Sequence, residues 1–347
     1  MNKLFEQIKN NKAIISILKK LHNKWFYMGV FYVTAIILMV VILLHHNPLA
    51  DHSTEVMKKA MACLLIVFGG AIFGIFYDKL TVLPLELWQN RRLIWKLAKN
   101  DFKKRYAGSY MGMAWAMVQP VVTVLMYWIV FDKVFNTRSQ LVASGIEVPY
   151  VLFLTAGLVP WFYFSEALTQ GTMALLEYSY LVKKVVFKIS ILPIVKVIGA
   201  MFIHSFFVLV LLVISICYGY YPSVYTLQIF YYTFCCFMLV LGISYMTCAI
   251  VVFFRDLAQI ISIVLQIGMW ATPILWDISM LPDTAKTIFK INPMVYIVNG
   301  YRSSMYEQVW FFEHFYSSTC FWIITATLFI IGSLIFKKCK VHFADVL

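Results

Sequence analysis

The sequence predicts an all-α polytopic membrane protein, and three observations predict it. Hydrophobic residues make up 62% of the 347-residue chain and charged residues 13%, against about 45–50% and about 25% in a soluble domain. A water-facing globule of this composition would have nothing to cover itself with. Apolar runs of about 17 residues or more recur along the chain, each long enough to carry a helix across about 30 Å of hydrocarbon. Lys and Arg gather in alternate connecting segments, as the positive-inside rule requires of a chain that crosses back and forth.

Eight candidate spans follow, at approximately 26–44, 60–77, 111–131, 148–176, 190–217, 224–254, 257–276 and 319–336. The first begins near Phe26 after a basic start, lacks a small-residue cleavage site, and is longer than the apolar core of a signal peptide. The second contains "GGAIFG" (69–74), whose Gly70-x-x-x-Gly74 spacing allows close helix contact. Bases at the N-terminus, between spans two and three, at Lys183, Lys184 and Lys188, at Arg255, and at Lys337, Lys338 and Lys340 mark one side of the membrane. That side is expected to be cytoplasmic, with both termini on it. Residues 88–106, "WQNRRLIWKLAKNDFKKRY", interleave Trp and Leu with bases, a pattern suited to an amphipathic helix lying in the cytoplasmic interface. The segment from Asp277 to about Ser318, divided by Pro282 and Pro293, is expected on the outer side.

Several chemistries are missing from the sequence. The seven cysteines fall almost all inside apolar runs and follow no ligand spacing; they read as small hydrophobes, and no metal site is expected. No G-x-x-x-x-G-K-[ST] loop occurs, so nucleotide is not bound in that way. Paired carboxylates, a nucleophile elbow and H-E-x-x-H are absent from the spans. Glu166, Glu177 and Lys196 are the main charges within apolar runs, fewer than an ion-coupled transporter keeps at depth. A partner ATPase is therefore the natural energy source.

Six ordered blocks resemble a known family. The run "LAKNDFKKRYAGSYMGMAWAMVQP" (97–120) is similar to the opening of the permease subunits of ABC exporters for O-antigen, teichoic acid and capsule-like polysaccharides, with Asp101, Lys103, Arg105, Tyr106, Ser109, Gly112, Trp115 and Pro120 at the matching positions. The resemblance continues through "GLVPWFYFSEAL" (157–168), "LVKKVVFKISILP" (181–193), "FFRDLAQIISIVLQIGMWATPILW" (253–276), "INPMVYIVNGYR" (291–302) and "FKKCKVHFADVL" (336–347). It implies a six-span exporter permease domain at 88–347, preceded here by a two-helix transmembrane extension at 1–87 that such permeases commonly lack.

The resemblance further implies a homodimer in a bacterial plasma membrane, joined by two copies of an ATPase subunit that binds ATP and Mg, with no cofactor in this chain and no nucleic-acid partner. The implied substrate is a polyprenyl-diphosphate-linked glycan. Its headgroup is expected at the interface helix, at Arg91, Arg92, Lys96, Lys99, Lys103, Lys104, Arg105 and Tyr106. ATPase coupling is expected at Tyr180, Leu181, Lys183 and Lys184, and at Arg255 and Asp256. Candidate rings for a sugar path are Tyr110, Trp115, Tyr127, Trp128, Trp161, Phe162, Tyr163, Phe164 and Trp270, since flat faces suit sugar C–H groups. Interfacial aromatic belts give a similar pattern. The outer segment is expected to form short re-entrant helices at an exit gate. A permease for a drug or small lipid, or a membrane-embedded glycosyl or phosphoglycosyl transferase, are the alternative functions.

Overall fold

The computed structural model describes residues 24–44, 52–80, 82–105, 107–108, 110–135, 140–141, 147–183, 188–313 and 315–347. Tyr106, Ser109 and Lys184 lie outside the described residues. The chain divides into two compact units, Met1–Val82 and Leu83–Leu347.

In the first unit, helices α1 (Lys24–Leu44) and α2 (His52–Leu80) pack face to face. Tyr32 lies across the Gly70 and Gly74 pair, and its hydroxyl donates to the Gly70 carbonyl at 3.0 Å. A side chain at Gly74 would collide with the Tyr32 hydroxyl, so the small residue sets the spacing of the two helices. Phe31 stacks on Phe73 at 4.0 Å beside it.

The second unit begins with α3 (Val82–Gln89) and α4 (Arg91–Arg105), then α5 (Trp115–Trp128), which runs on through a π turn to Val134. The long helices follow: α6 (Tyr150–Glu177), α8 (Leu192–Cys217), α9 (Gln228–Val251) and α13 (Phe315–Cys339). Among the described residues, four helical segments are long and apolar enough to cross a membrane: 150–177, 189–217, 224–251 and 315–342. Shorter apolar helices are Met28–Leu44, Ala62–Ile75 and α10 (Leu257–Ala271). The protein is thus an all-α multi-pass membrane protein. Its described extended residues are one short antiparallel pair, Gln140–Leu141 against Glu147–Val148.

Helix α6 is the centre of the bundle, buried along most of its length and packed against α8, α9, α10 and α12 (Pro293–Arg302). Polar pairs add to van der Waals packing here: the Thr172 and Thr247 hydroxyls meet at 2.8 Å between α6 and α9. Such bonds contribute about 0.6 kcal/mol each within a membrane. Helices α9 and α13 cross at Gly242 and Gly332, where any side chain on Gly332 would strike the Gly242 carbonyl. Large exposed apolar side chains, such as Leu209 and Val213 on α8, suit a lipid surrounding.

Helix boundaries depart from the apolar runs for identifiable reasons. The third run starts as helix only at Trp115, after Gly108 and Gly112 take positive φ values of 86° and 53° that side chains disfavour. The seventh stops at Ala271, because Pro273 drives Thr272 into extended backbone (φ −90°, ψ 133°). The sixth ends at Val251, and an exposed turn at 253–256 separates it from α10. Beyond α10, the segment after Asp277 forms α11 (Asp283–Phe289) and α12, and α12 is mostly buried. Pro293 sits in its first turn and the Asn292 side chain accepts from the Met294 amide, a capped start that requires no neighbouring helix.

Candidate functional site: an ion-paired interface helix and its neighbours

Residues 88–106 are not one helix. A break at Asn90 separates α3 from α4, and α4 presents two chemically different faces. Ile94, Ala98 and Asp101 point inward at helical spacing, with Arg105 one turn further on. Arg91, Arg92, Lys96, Lys99, Lys103 and Lys104 are exposed. Trp95 and Phe102 both reach Phe202 of α8, at ring separations of 5.5 and 5.3 Å, and this apolar contact fixes the helix against the bundle. Trp88 remains exposed under the Arg91 guanidinium, 5.1 Å away.

Asp101 is the centre of a buried ion cluster. Its Oδ1 accepts from Lys196 Nζ of α8 at 2.7 Å and from the Tyr178 hydroxyl, the residue that ends α6. Lys196 is 4% exposed and also donates to Glu177, the last residue of α6, at 2.5 Å. Burial and the Asp101 carboxylate push the Tyr178 phenol well up from its ordinary pKa, so it stays an O–H donor. One turn along α4, Arg105 pairs with Glu166 of α6 at 2.6 Å. The second Asp101 oxygen and the second Arg105 terminal nitrogen, 3.8 Å apart, complete no hydrogen bond. Helix α4 is therefore clamped to two long helices by charge as well as by rings.

The clamp lies next to the first segment expected to meet the ATPase. Glu177 and Tyr178 lead straight into α7 (Ser179–Val182), where Val182 is buried while Tyr180 and Lys183 are exposed and Leu181 is half-buried. A second polar knot sits beside it. Ser190 donates to Glu86 of α3 at 2.6 Å, accepts from Lys340 at 3.3 Å, and its carbonyl accepts from Tyr245 at 2.7 Å. The C-terminal α14 (Phe343–Val346) buries Phe343 against Phe336 and near Phe253. That contact places the tail beside the exposed turn that carries Arg255 and Asp256. Asp256 makes no side-chain cap on α10.

The nine candidate path rings separate into groups. Tyr110, Trp115 and Trp270 are exposed. Tyr127 and Phe162 are half-buried, and Trp128 donates its indole N–H to Tyr218 at 2.9 Å. Trp161, Tyr163 and Phe164 are core: Tyr163 sits against His204, and Trp161 packs over Gly268 of α10. Trp270 belongs to a wider apolar stripe on α10, with Ile260, Ile263, Val264 and Ile267 at one-face spacing and all exposed. Helix α5 carries a similar stripe through Val121, Val122, Leu125, Met126 and Ile129.

Sequence reasoning singled out Glu166, Glu177 and Lys196 as unusual charges but did not join them to Asp101 and Arg105. The signal was available in part. Charges of both signs in otherwise apolar helices need partners, and Asp101 with Arg105 stands at the i, i+4 spacing of one helix face.

Known proteins of similar sequence are named as O-antigen export system permease protein RfbA. The Myxococcus xanthus protein is 29% identical over 225 residues, which is 64% of this chain and 84% of the relative. Two Klebsiella pneumoniae proteins of the same name are 27% and 26% identical over 263 and 255 residues, each 72% of this chain and 93% of the relative. The family model for ABC-2 type transporters matches residues 92–306, more than half of the chain and every residue of the ion cluster, and the protein belongs to that transporter membrane family.

Proposed function

We propose that this chain is the membrane subunit of an ATP-driven exporter that carries a polyprenyl-diphosphate-linked polysaccharide from the cytoplasmic to the outer side of the membrane. The observation that carries the substrate class is the shared name of the relatives, whose O-antigen export permeases align over 84–93% of their own lengths. The chain works as a homodimer with two ATPase subunits, which bind ATP and Mg. The exposed apolar stripes of α5 and α10 each offer a surface for a partner copy, and Tyr110, Trp115 and Trp270 are the exposed rings left to line a shared path.

The exposed bases of α4 attract the diphosphate at the cytoplasmic interface, while Arg105 and Asp101 hold the helix in place. This division of labour can be tested. In a reconstituted complex with its ATPase, Lys103→Gln with Lys104→Gln is expected to raise the concentration of lipid-linked glycan needed to stimulate ATP hydrolysis by about tenfold, given about 1 kcal/mol for each base near a charged headgroup before screening. Unchanged stimulation in a correctly inserted variant would leave these two bases as membrane anchors only.

The exposed side chains of Tyr180, Lys183, Arg255 and Asp256 are the ATPase docking points. Lys183→Glu together with Arg255→Glu is expected to reduce export and ATPase recruitment while the chain level in the membrane stays at that of the wild type. Neither residue holds a side-chain bond within the described residues, so loss of the chain itself would contradict this assignment.

A further inference from the structure

Helix α6 is the most buried of the four membrane-length segments, yet the narrow face it leaves open is polar. From Tyr150 to Leu175 every residue is buried except Phe162, Ser165, Glu166, Thr169, Gln170 and Met173. Those positions recur at helical spacing and form one stripe. Between its apolar ends, Phe162 and Met173, the stripe consists of hydroxyls, a carboxylate and an amide. Thr169 donates to the Ser165 carbonyl at 2.8 Å, and Glu166 accepts from Arg105 at 2.6 Å. The Ser165 hydroxyl and the Gln170 amide hold no partner among the described residues.

Depth and chemistry together decide what covers this face. Glu166 lies about 16 Å along α6 from Glu177, at about 1.5 Å per residue, so the polar stretch reaches roughly half-way through about 30 Å of hydrocarbon. Lipid chains suit the open face of α8 at Leu209 and Val213, but they satisfy neither an amide nor a carboxylate that is 39% exposed. A partner copy docked here would strip water from the same groups, while the apolar stripes of α5 and α10 offer it a better surface.

We propose that the stripe lines a water-filled vestibule, open at the Glu177 end, and that the sugar chain of the exported glycan passes along it. The distribution of Lys and Arg assigns that end to the cytoplasm. This role rests on the glycan reading above. Hydroxyls and an amide both donate and accept, as sugar hydroxyls do, so Ser165, Thr169 and Gln170 exchange bonds to water for bonds to sugar. Arg105 neutralises Glu166, and the stripe has no net charge with which to select the diphosphate. Phe162, half-buried against Phe207 at the deep end, is the candidate path ring of α6 that faces the vestibule; Trp161, Tyr163 and Phe164 lie on its buried sides.

The experiment uses the full chain with its ATPase in inside-out vesicles, carrying Gln170→Cys or, as the lipid-facing control, Leu209→Cys. A membrane-impermeant methanethiosulfonate is added and the adduct located by peptide mass spectrometry. Gln170→Cys is expected to react about tenfold faster than Leu209→Cys, because the reactive thiolate forms in water and is disfavoured in apolar surroundings. Lipid-linked glycan should protect Gln170→Cys, and polyprenyl diphosphate without glycan should not. Gln170→Leu should raise the glycan concentration for half-maximal stimulation of ATP hydrolysis about fivefold, the loss of one hydrogen bond, at an unchanged maximal rate. Equal labelling of the two cysteine variants would overturn the vestibule, whatever the substrate. Stimulation by glycan without protection of Gln170→Cys would overturn the sugar contact and leave the glycan reading standing, as would equal protection by the bare diphosphate or an unchanged response of Gln170→Leu. Fast labelling with no stimulation by glycan would instead reject the glycan reading, and with it the occupant, while supporting the water-filled face.

Discussion

Replacing Lys196 with methionine is expected to cost about 3 kcal/mol of stability, the lower end of the penalty for leaving a buried charge without its counterion, since Asp101 keeps Arg105 at 3.8 Å. Lys196 is 4% exposed and bonds Asp101 and Glu177 at once, so the change leaves the buried Asp101 carboxylate with the Tyr178 hydroxyl and the more distant Arg105. The readout is the thermal transition of the purified chain and its level in the membrane. A charge-balanced variant separates the clamp from simple loss of packing. Adding Asp101→Asn to Lys196→Met removes the buried negative charge, while Glu177, 44% exposed, turns to water. The double variant should therefore recover more than half of the lost stability, a coupling that a double-mutant cycle measures directly. A Lys196→Met protein as stable as the wild type, or a double variant that is merely the sum of the two singles, would remove the clamp from the account. Recovered complexes of the double variant should still bind ATPase yet hydrolyse ATP with less export, because the ionic link from Glu177 through Lys196 to α4 is gone.

Placing an arginine at Val264 should abolish the proposed homodimer. Val264 is 59% exposed at the middle of the α10 stripe. A charge there costs about 2.5–3.5 kcal/mol even against lipid, and a partner helix offers it no water at all. The control is Thr327→Arg on the exposed face of α13, where the account places lipid and no second copy. Native mass spectrometry of both variants should find monomer for Val264→Arg and dimer for Thr327→Arg. Identical behaviour of the two would mean that the α10 stripe is ordinary lipid-facing surface.

Much of the fold was legible because membrane helices declare themselves through length and composition. Pro273, Gly108 and Gly112 also explain why two helix ends differ from the apolar runs: the runs report hydrophobicity, whereas these residues act on the backbone. The clamp was not legible. Asp101, Glu177 and Lys196 are 95 residues apart at the extremes, and only the packing of α4 on α8 through Phe202 brings them together. A basic run reads the same whether its helix lies loosely on headgroups or is fastened to the bundle; the inward Asp101 distinguishes the two, and one acidic residue among bases is a weak signal. The aromatic residues were harder still. Trp161 and Trp270 look alike in sequence, yet one is core against Gly268 and the other is exposed. The Ser190 knot with Glu86, Lys340 and Tyr245 joins four distant segments through groups common on any helix end, which leaves no pattern in the chain.

The central claim is that this chain, with its ATPase, moves a lipid-linked polysaccharide across a membrane. Reconstituting the complex in sealed vesicles with glycan on a polyprenyl diphosphate, and following the glycan's exposure to an external glycosidase, tests it most directly. The account predicts ATP-dependent appearance of glycan on the opposite face, reduced by Lys103→Gln with Lys104→Gln and lost with Val264→Arg. Transfer that proceeds equally without ATP, or a fully assembled complex that hydrolyses ATP while every glycan stays on its original side, would contradict it.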